Sequence, residues 1–367
     1  MDFKRTLAKP FRSKKSYYFL AAVAFVAVLP LFVRSEYVVG QVFTVMIIFA
    51  IYASSWNLLA YSGQGSLGHA AFLGIGGFAS ALAAIKLGLH PIIGLLLGSL
   101  ISAGIGFLIG LACVRLKAWF LAMVTFGFTV IVIAIISQFD TFFGAMNGFQ
   151  TPLIVPQILP FYYASLGIAA ASIAVIFLVM QSKLGLAFKA IRENESEARM
   201  IGINTGKYRL VAFIISTFFA GLAGGLYAES QQFIQISIFE PANSFLPLIM
   251  TVIGGLSTIE GPIIGSVIIV SINSYLPTAL QPLSPLFPGV GNKVGSALGF
   301  VGLGLFLIVV VIFLPKGITS LLHKLYDYLR EDTSKTKKEK KKKEKLSDKL
   351  KSLKRSIASK IGLREKR

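Results

Sequence analysis

The stretch VMIIFAIYASSWNLLAYSGQGSLGHAAFLGIGGFASALAAI, residues 45–85, decides the class of fold. Two apolar runs flank a polar, glycine-rich turn, Tyr61-Ser62-Gly63-Gln64-Gly65-Ser66-Leu67-Gly68-His69. Each run approaches the roughly 20 apolar residues that carry a helix across a bilayer. In lipid the backbone finds no water, and a helix satisfies its own amides. The same pattern recurs along the chain, near 17–33, 38–60, 69–88, 91–113, 118–137, 161–180, 208–228, 242–257, 261–280 and 296–314. The chain is 55% hydrophobic and 14% charged, and its mean hydropathy is +0.74. Soluble domains run near one quarter charged, roughly 25%. So much apolar surface cannot be covered in water, which excludes a soluble globular enzyme and a disordered chain. The expected fold is an all-α integral membrane protein, a polytopic bundle of about ten transmembrane helices with two Gly-rich interruptions.

The second interruption is Gly254-Gly255-Leu256-Ser257-Thr258-Ile259-Glu260-Gly261-Pro262. Paired Gly/Pro breaks in the two halves of a transporter point to its substrate path. Irregular backbone at membrane depth is tolerated only inside protein or beside a water-filled cavity. Gln64, Ser66, His69, Ser257 and Thr258 are therefore the candidate path residues, offering neutral hydrogen bonds to a passing zwitterion. The competing reading is a pair of ordinary tight turns that never meet substrate. Small residues also recur four apart, at Gly94 and Gly98, Gly106 and Gly110, Gly221 and Gly225, Gly261 and Gly265, and Gly295 and Gly299. Such spacing lets helix backbones approach closely, either within the chain or at the face of a second membrane subunit.

Charge sits at the two ends. The segment 335–367 holds sixteen Lys/Arg and four Asp/Glu, twelve of the twenty net positive charges. The first sixteen residues add six Lys/Arg against Asp2. The body between is nearly neutral, so no nucleic-acid domain is implied. Short Lys/Arg-rich loops stay in the cytoplasm. Arg115, Lys117 and the segment 181–207 then fall inside, and the stretches 138–160 and 229–240 outside. Lys86 and Arg34 dissent mildly. Both termini are expected in the cytoplasm. The first apolar stretch resembles a signal peptide, but its run is long and no soluble domain follows, which favours an uncleaved helix. The Lys-rich tail suits a solvated disordered block. It equally suits contact with membrane lipids through anionic headgroups, since Leu346, Leu350, Leu353 and Ile357 hint at an amphipathic helix.

The chemistry of enzymes is missing. One cysteine, Cys113, excludes a disulfide framework, and three scattered histidines leave no His-built metal site. Gly202 through Gly206-Lys207 mimics a phosphate loop but has one residue too few between its glycines and no Ser/Thr after the lysine. Gly74-Ile-Gly76-Gly77 lies inside an apolar run, and no nucleophile elbow or zinc helix appears. No ATP hydrolysis, bound cofactor or metal is expected of this chain. The expected spans hold His69, Lys86 and little else that ionises. Ion- or proton-driven carriers place buried carboxylates there, so the driving force is expected to come from elsewhere.

In the segment 181–207, apolar or small residues recur at Ala187, Ala190, Ile191, Ala198 and Ile201, suiting one short amphipathic helix stopped by Gly202. Periodicity alone leaves two readings open, a lipid-surface helix and a docking knob for a cytosolic partner.

Several blocks in order then resemble one family. They are Asn57 to Phe72, Phe120 to Phe128, Arg192-Glu193-Asn194-Glu195 through Gly202-Ile203-Asn204, Leu210 to Ser216 with Ala220 to Ala228, Met250 to Leu256 with Gly261 to Gly265, and Pro315-Lys316-Gly317. The sequence resembles the permease subunits of branched-chain amino-acid ABC importers, of the LivM type, over roughly residues 38–320. The lysine-rich tail departs from that pattern. The resemblance implies a division into a basic cytoplasmic N-terminus (1–16), a permease transmembrane domain (17–320) and a basic cytoplasmic tail (321–367). It implies a second permease subunit, two cytosolic ATPase subunits that bind the ATP, and an extracytoplasmic substrate-binding protein, in the cytoplasmic membrane of a prokaryote. Ala190, Arg192, Glu193, Asn194, Glu195, Ala198 and Gly202 then look like the segment that couples to the ATPase. Urea, amides, a nucleoside or a sugar are alternative cargoes, and an ion-coupled secondary carrier is the rival of a different class.

Overall fold

The computed structural model describes residues 14–33, 35–113, 116, 118–139, 143–144, 148–155, 157–282, 294–314 and 317–321. Most of the basic N-terminus and of the tail after residue 321 lies outside these described residues, as do Arg34, Arg115 and Lys117.

The chain is a helical membrane protein. In order come α1 (Lys14–Phe32), α2 (Val38–Tyr61), α3 (His69–Lys86), α4 (Pro91–Cys113) and α5 (Ala118–Gln138). The strand β1 (Phe149–Gln150) precedes α6 (Ile158–Gln181), α7 (Lys183–Glu193), α8 (Glu195–Met200) and α9 (Thr205–Gln231). After β2 (Phe233–Ile234) and a 3-10 turn (Ile236–Phe239) follow α10 (Pro241–Gly254), α11 (Glu260–Leu280) and α12 (Val294–Phe313). Helices thus occupy all the apolar stretches of the sequence. Seven of those among the described residues are long and apolar enough to cross a membrane: α2, α3, α4, α6, α9, α11 and, within α5, Trp119–Gln138. In α10, 14 residues span only about 21 Å, short of a hydrocarbon core of about 30 Å.

The centre is the mutual packing of α3, α4 and α9. A Cβ on Gly76 would strike the Gly221 backbone, and one on Gly224 would strike the Leu73 carbonyl. The contact brings polar groups together. Ser102 Oγ of α4 lies 3.0 Å from the Phe72 carbonyl of α3 and 2.9 Å from the Thr217 carbonyl of α9. Phe72 meets Phe213 edge-on at 5.5 Å. The glycine pairs at 94/98, 106/110, 221/225 and 261/265 all face neighbours within the chain. The surroundings of Gly295 and Gly299 lie outside the described residues. Leu100 and Leu108 of α4, with Trp119 and Ile131 of α5, present bare apolar surface, which suits lipid or another membrane subunit and not water.

The loops sort to two ends. The turns at 62–68 and 255–258 and the start of α9 meet at one end, through Asn57, Gln64 and Arg209. At the opposite end β1 pairs antiparallel with β2, Phe149 opposite Ile234, and Thr151 bonds Ala228 and Gln232. This agrees with the stretches 138–160 and 229–240 sharing one side.

The stretch 229–240 nevertheless departs from an outer loop. Glu229, Ser230 and Gln231 continue α9, and the chain then turns back at Gln232 (φ 54°). Ile234 packs over Gly77 and Phe239 over Gly74, beside the middle of α3. Small residues on α3 make that close approach possible, so an irregular strand is drawn to membrane depth instead of staying outside.

Candidate translocation site and coupling segment

The two glycine-rich turns are joined by a side chain that carries both donor and acceptor. Asn57 Nδ2 donates to the Thr258 carbonyl at 2.6 Å, and Asn57 Oδ1 accepts from the Ser257 amide at 2.8 Å. Thr258 Oγ1 donates to the Gly255 carbonyl and accepts from the Gly261 amide, which closes the second turn on itself. Ser257 holds a left-handed backbone, φ 61°, unusual for a side-chain-bearing residue.

Of the expected path residues, Gln64, Ser66, His69 and Thr258 bond within the chain through their side chains, whereas the buried Ser257 hydroxyl has no hydrogen-bond partner. Gln64 Nε2 donates to Ser62 Oγ (2.9 Å) and to the Arg209 carbonyl (3.0 Å). The Ser66 carbonyl accepts from Trp56 Nε1 at 2.8 Å. His69 is buried, stacked on Tyr52 at 5.3 Å, with Nε2 2.9 Å from Ser55 Oγ. Because Ser55 Oγ donates its proton to the Tyr52 carbonyl, the network assigns the His69 proton to Nε2. The structure brings Ser257 and Thr258 to Asn57 and sets Gln64 against α9, so the two turns meet at one end of the bundle. Asn57 had no role assigned from sequence, since its partners lie 200 and 201 residues away.

The opposite end is open. A polar recess of about 240 Å³ is lined by Tyr227, Gln231, Gln235, Ser237 and Asn243, with Phe233, Ile234 and Ile238. Asn243 forms part of its floor, where its carbonyl accepts from Tyr52 Oη at 3.0 Å. Tyr52 is about 14 Å from one end of α2 and about 21 Å from the other, so the recess is joined by one hydrogen bond to a side chain rooted near the middle of that helix. No expected site residue lines it; a polar run next to Glu229 and Glu240 reads from composition as plain loop.

One carboxylate is buried after all. Glu229, in the last turns of α9, is 3% exposed, with the Ile154 backbone facing it. Sequence periodicity placed it outside the span because it sits at the helix end. Among the described residues no group of three His, Cys, Asp or Glu could hold a metal ion.

The segment 182–204 is two helices, not one. Asn194 is extended and ends α7, then caps α8, its Oδ1 accepting from the amides of Ser196 (3.0 Å) and Glu197 (3.3 Å). The spacing Asn194-x-x-Glu197 is the sequence signal for such a start. Gly202 (φ 85°) stops α8 as expected. Ala187, Ile191 and Ala198 are buried, together with Phe188, and Ala190 is half-buried. Ile201 is the exception to the expected apolar face: it is 75% exposed, past the break that Asn194 introduces. Met200 (85%) and Leu186 (68%) are bare as well.

Charged residues here are mostly rivets. Glu195 binds Arg199 and, at 2.8 Å, Arg209, and Thr205 Oγ1 joins the cluster. The Arg192 guanidinium lies over the Tyr61 ring at 5.3 Å, and its backbone abuts Gly63. Lys189 and Glu193 form an exposed pair at 3.9 Å, worth only a few tenths of a kcal/mol. The segment is thus clamped to the first glycine-rich turn and to α9, while its apolar tips point away.

A family model described as the branched-chain amino acid transport system permease component matches residues 38–310. The chain belongs to this family. Among relatives of this permease family, the high-affinity branched-chain amino acid transport system permease protein LivM of Salmonella typhimurium is 30% identical over 283 residues, 69% of this chain and 66% of the relative. The chain thus spans just under two thirds of that relative's length. The probable branched-chain amino acid transport permease protein LivH of Methanocaldococcus jannaschii is 37% identical over 101 residues, 26% of this chain and 30% of the relative. The guanosine ABC transporter permease protein NupQ of Bacillus subtilis is 33% identical over 69 residues, 19% of this chain and 22% of the relative. No solved structure matches the chain.

Proposed function

We propose that this chain is a permease subunit of an ATP-driven importer for branched-chain or related amino acids in the cytoplasmic membrane of a prokaryote. In this reading a second permease completes the path, two cytosolic ATPase subunits supply the work, and an extracytoplasmic binding protein delivers the solute. The observation that carries it is the segment 182–204. Its inward apolar residues are consumed by the chain, yet Leu186, Met200 and Ile201 stay bare at its tip. A helix lying on lipid would turn its main apolar face outward. Small apolar spots among charges, Leu186 on one helix and adjacent Met200 and Ile201 after the other, suit a groove in a protein partner instead. Family membership supports the cargo class, and the short NupQ match keeps a nucleoside as the second reading.

The test is co-purification of the tagged chain in mild detergent from its own host. ATPase subunits and a second permease are expected to stay bound. Met200→Asp with Ile201→Asp is expected to lower ATPase recovery and leucine uptake at least tenfold while the chain still reaches the membrane. Normal ATPase recovery by that variant defeats the docking assignment. A chain that stays alone, yet drives uptake in liposomes from an ion gradient, defeats the importer reading.

A further inference from the structure

The recess between Tyr227 and Asn243 is a chemically defined space. The geometry points to this recess as the outward-facing solute site, taking a net-neutral solute that combines polar ends with a small apolar side chain. The inference rests on the importer reading above and names where the cargo sits.

Four observations carry it. The first is depth. Irregular backbone from Gln232 to Phe239 runs beside Gly77 and Gly74, well inside the span of α3. Non-helical backbone at such depth is tolerated where it is buried or lines a watery cavity. Here Phe239 is buried against α3, while Gln235 and Ser237 line the recess together with Ile234 and Ile238. The second is the lining. It offers a phenol, three carboxamides and a hydroxyl, with no charged side chain. An ion stripped of water there would lack a counter-charge, whereas a zwitterion or neutral solute finds donors and acceptors for both ends. Glu229, the nearest buried acid in sequence, faces the Ile154 backbone, and Glu240 is exposed. The third is the apolar patch of Phe233, Ile234 and Ile238, which suits a short aliphatic chain. The fourth is size. At about 240 Å³ the recess lies just under the ~300–1,000 Å³ of sites for drug-sized ligands, room enough for a small solute.

The recess also stands in the right relation to the closed end. Its floor at Asn243 rests on Tyr52, and Tyr52 stacks on His69, which begins the helix after the first glycine-rich turn. One side of this stack adjoins the recess, and the other lies toward the turn that Asn57 bridges.

Cys113 is the sole cysteine, so a Cys113→Ala background makes single-site labelling clean. The assembled importer would carry Ser237→Cys, with Gln235→Cys as the second position should the first fail to assemble. Leu87→Cys, exposed at the same end but outside the recess, is the control. A charged, membrane-impermeant methanethiosulfonate is applied from the side opposite the 182–204 segment. Labelling is expected to cut leucine uptake at least tenfold relative to the same variant unlabelled, while labelled Leu87→Cys keeps its uptake. Leucine delivered by the binding protein is expected to slow labelling at 237 several-fold. Full labelling at both 235 and 237 with unchanged uptake overturns the site. No labelling from that side overturns its outward exposure. An unlabelled complex that carries ATPase subunits but imports only another solute defeats the cargo class alone, and one that holds no ATPase defeats the importer reading, so the failures are distinguishable.

Discussion

At the scale of single residues, Asn57 is the most consequential side chain outside the recess. It satisfies one amide and one carbonyl of a turn that has no regular secondary structure to satisfy them. A buried hydrogen bond contributes about 1 kcal/mol net, and an orphaned backbone group costs more. Asn57→Leu is therefore expected to destabilise the chain by roughly 2–4 kcal/mol, read as a lower denaturation midpoint in mixed micelles. Asn57→Asp sets a buried, unpaired carboxylate against the Thr258 carbonyl and is expected to lower the midpoint at least as far. Glycine matters differently at Gly224, where the Leu73 carbonyl occupies the space a Cβ would need. Gly224→Ala is expected to cost about 1–3 kcal/mol through overpacking, whereas Gly104→Ala, inside α4 with open space around it, is expected to stabilise by up to about 1 kcal/mol and raise the midpoint slightly.

At the scale of elements, the pair α7 and α8 behaves as a bracket. Arg209 is mostly buried and holds Glu195 across the gap to α9. A hydrogen bond to a charged group contributes about 1.5–3 kcal/mol, and the part-exposed Glu195 puts this one at the lower end. Arg209→Ala is expected to free α8, raising proteolytic nicking between residues 194 and 204 several-fold while the spanning helices stay protected. Arg209→Lys keeps the charge but not the fork and is expected to restore only part of that protection. How legible these elements were depended on where their signals lie. The spans and both glycine-rich turns could be read because composition alone marks them. Gly202 as a stop could be read from its position. The break at Asn194 carried a local signal in its spacing to Glu197, but the surrounding apolar period masked it. The re-entry at 232–240 carried none, since Ile234 and Phe239 are placed by glycines of α3 some 160 residues earlier, and Phe233 packs on Gly148. The recess was illegible for the same reason: its residues become a site only once that re-entry folds.

At the scale of the whole molecule, stability concentrates in α3, α4 and α9, whose backbones touch through glycine and serine. Close-packed, hydrogen-bonded cores open last. Amide exchange in detergent is expected to be slowest in these three helices and faster in α10, a half-length helix with Pro247 inside it. Equal exchange across all helices would contradict that order. The bare apolar faces of α4 and α5 take no part in it and are left for lipid or a companion subunit.

The Asn57 bridge and the bare tip at Met200 and Ile201 meet at one corner, because Gly63 abuts Arg192 and Gln64 bonds the start of α9. Binding energies that meet at such a corner obey reciprocity. If a protein seated on Met200 and Ile201 shifts the balance between a shut and a parted pair of turns, then the turns must shift that protein's affinity by the same factor. A lesion at residue 57, buried and outside the tip itself, would then announce itself first as a changed grip on a neighbouring subunit.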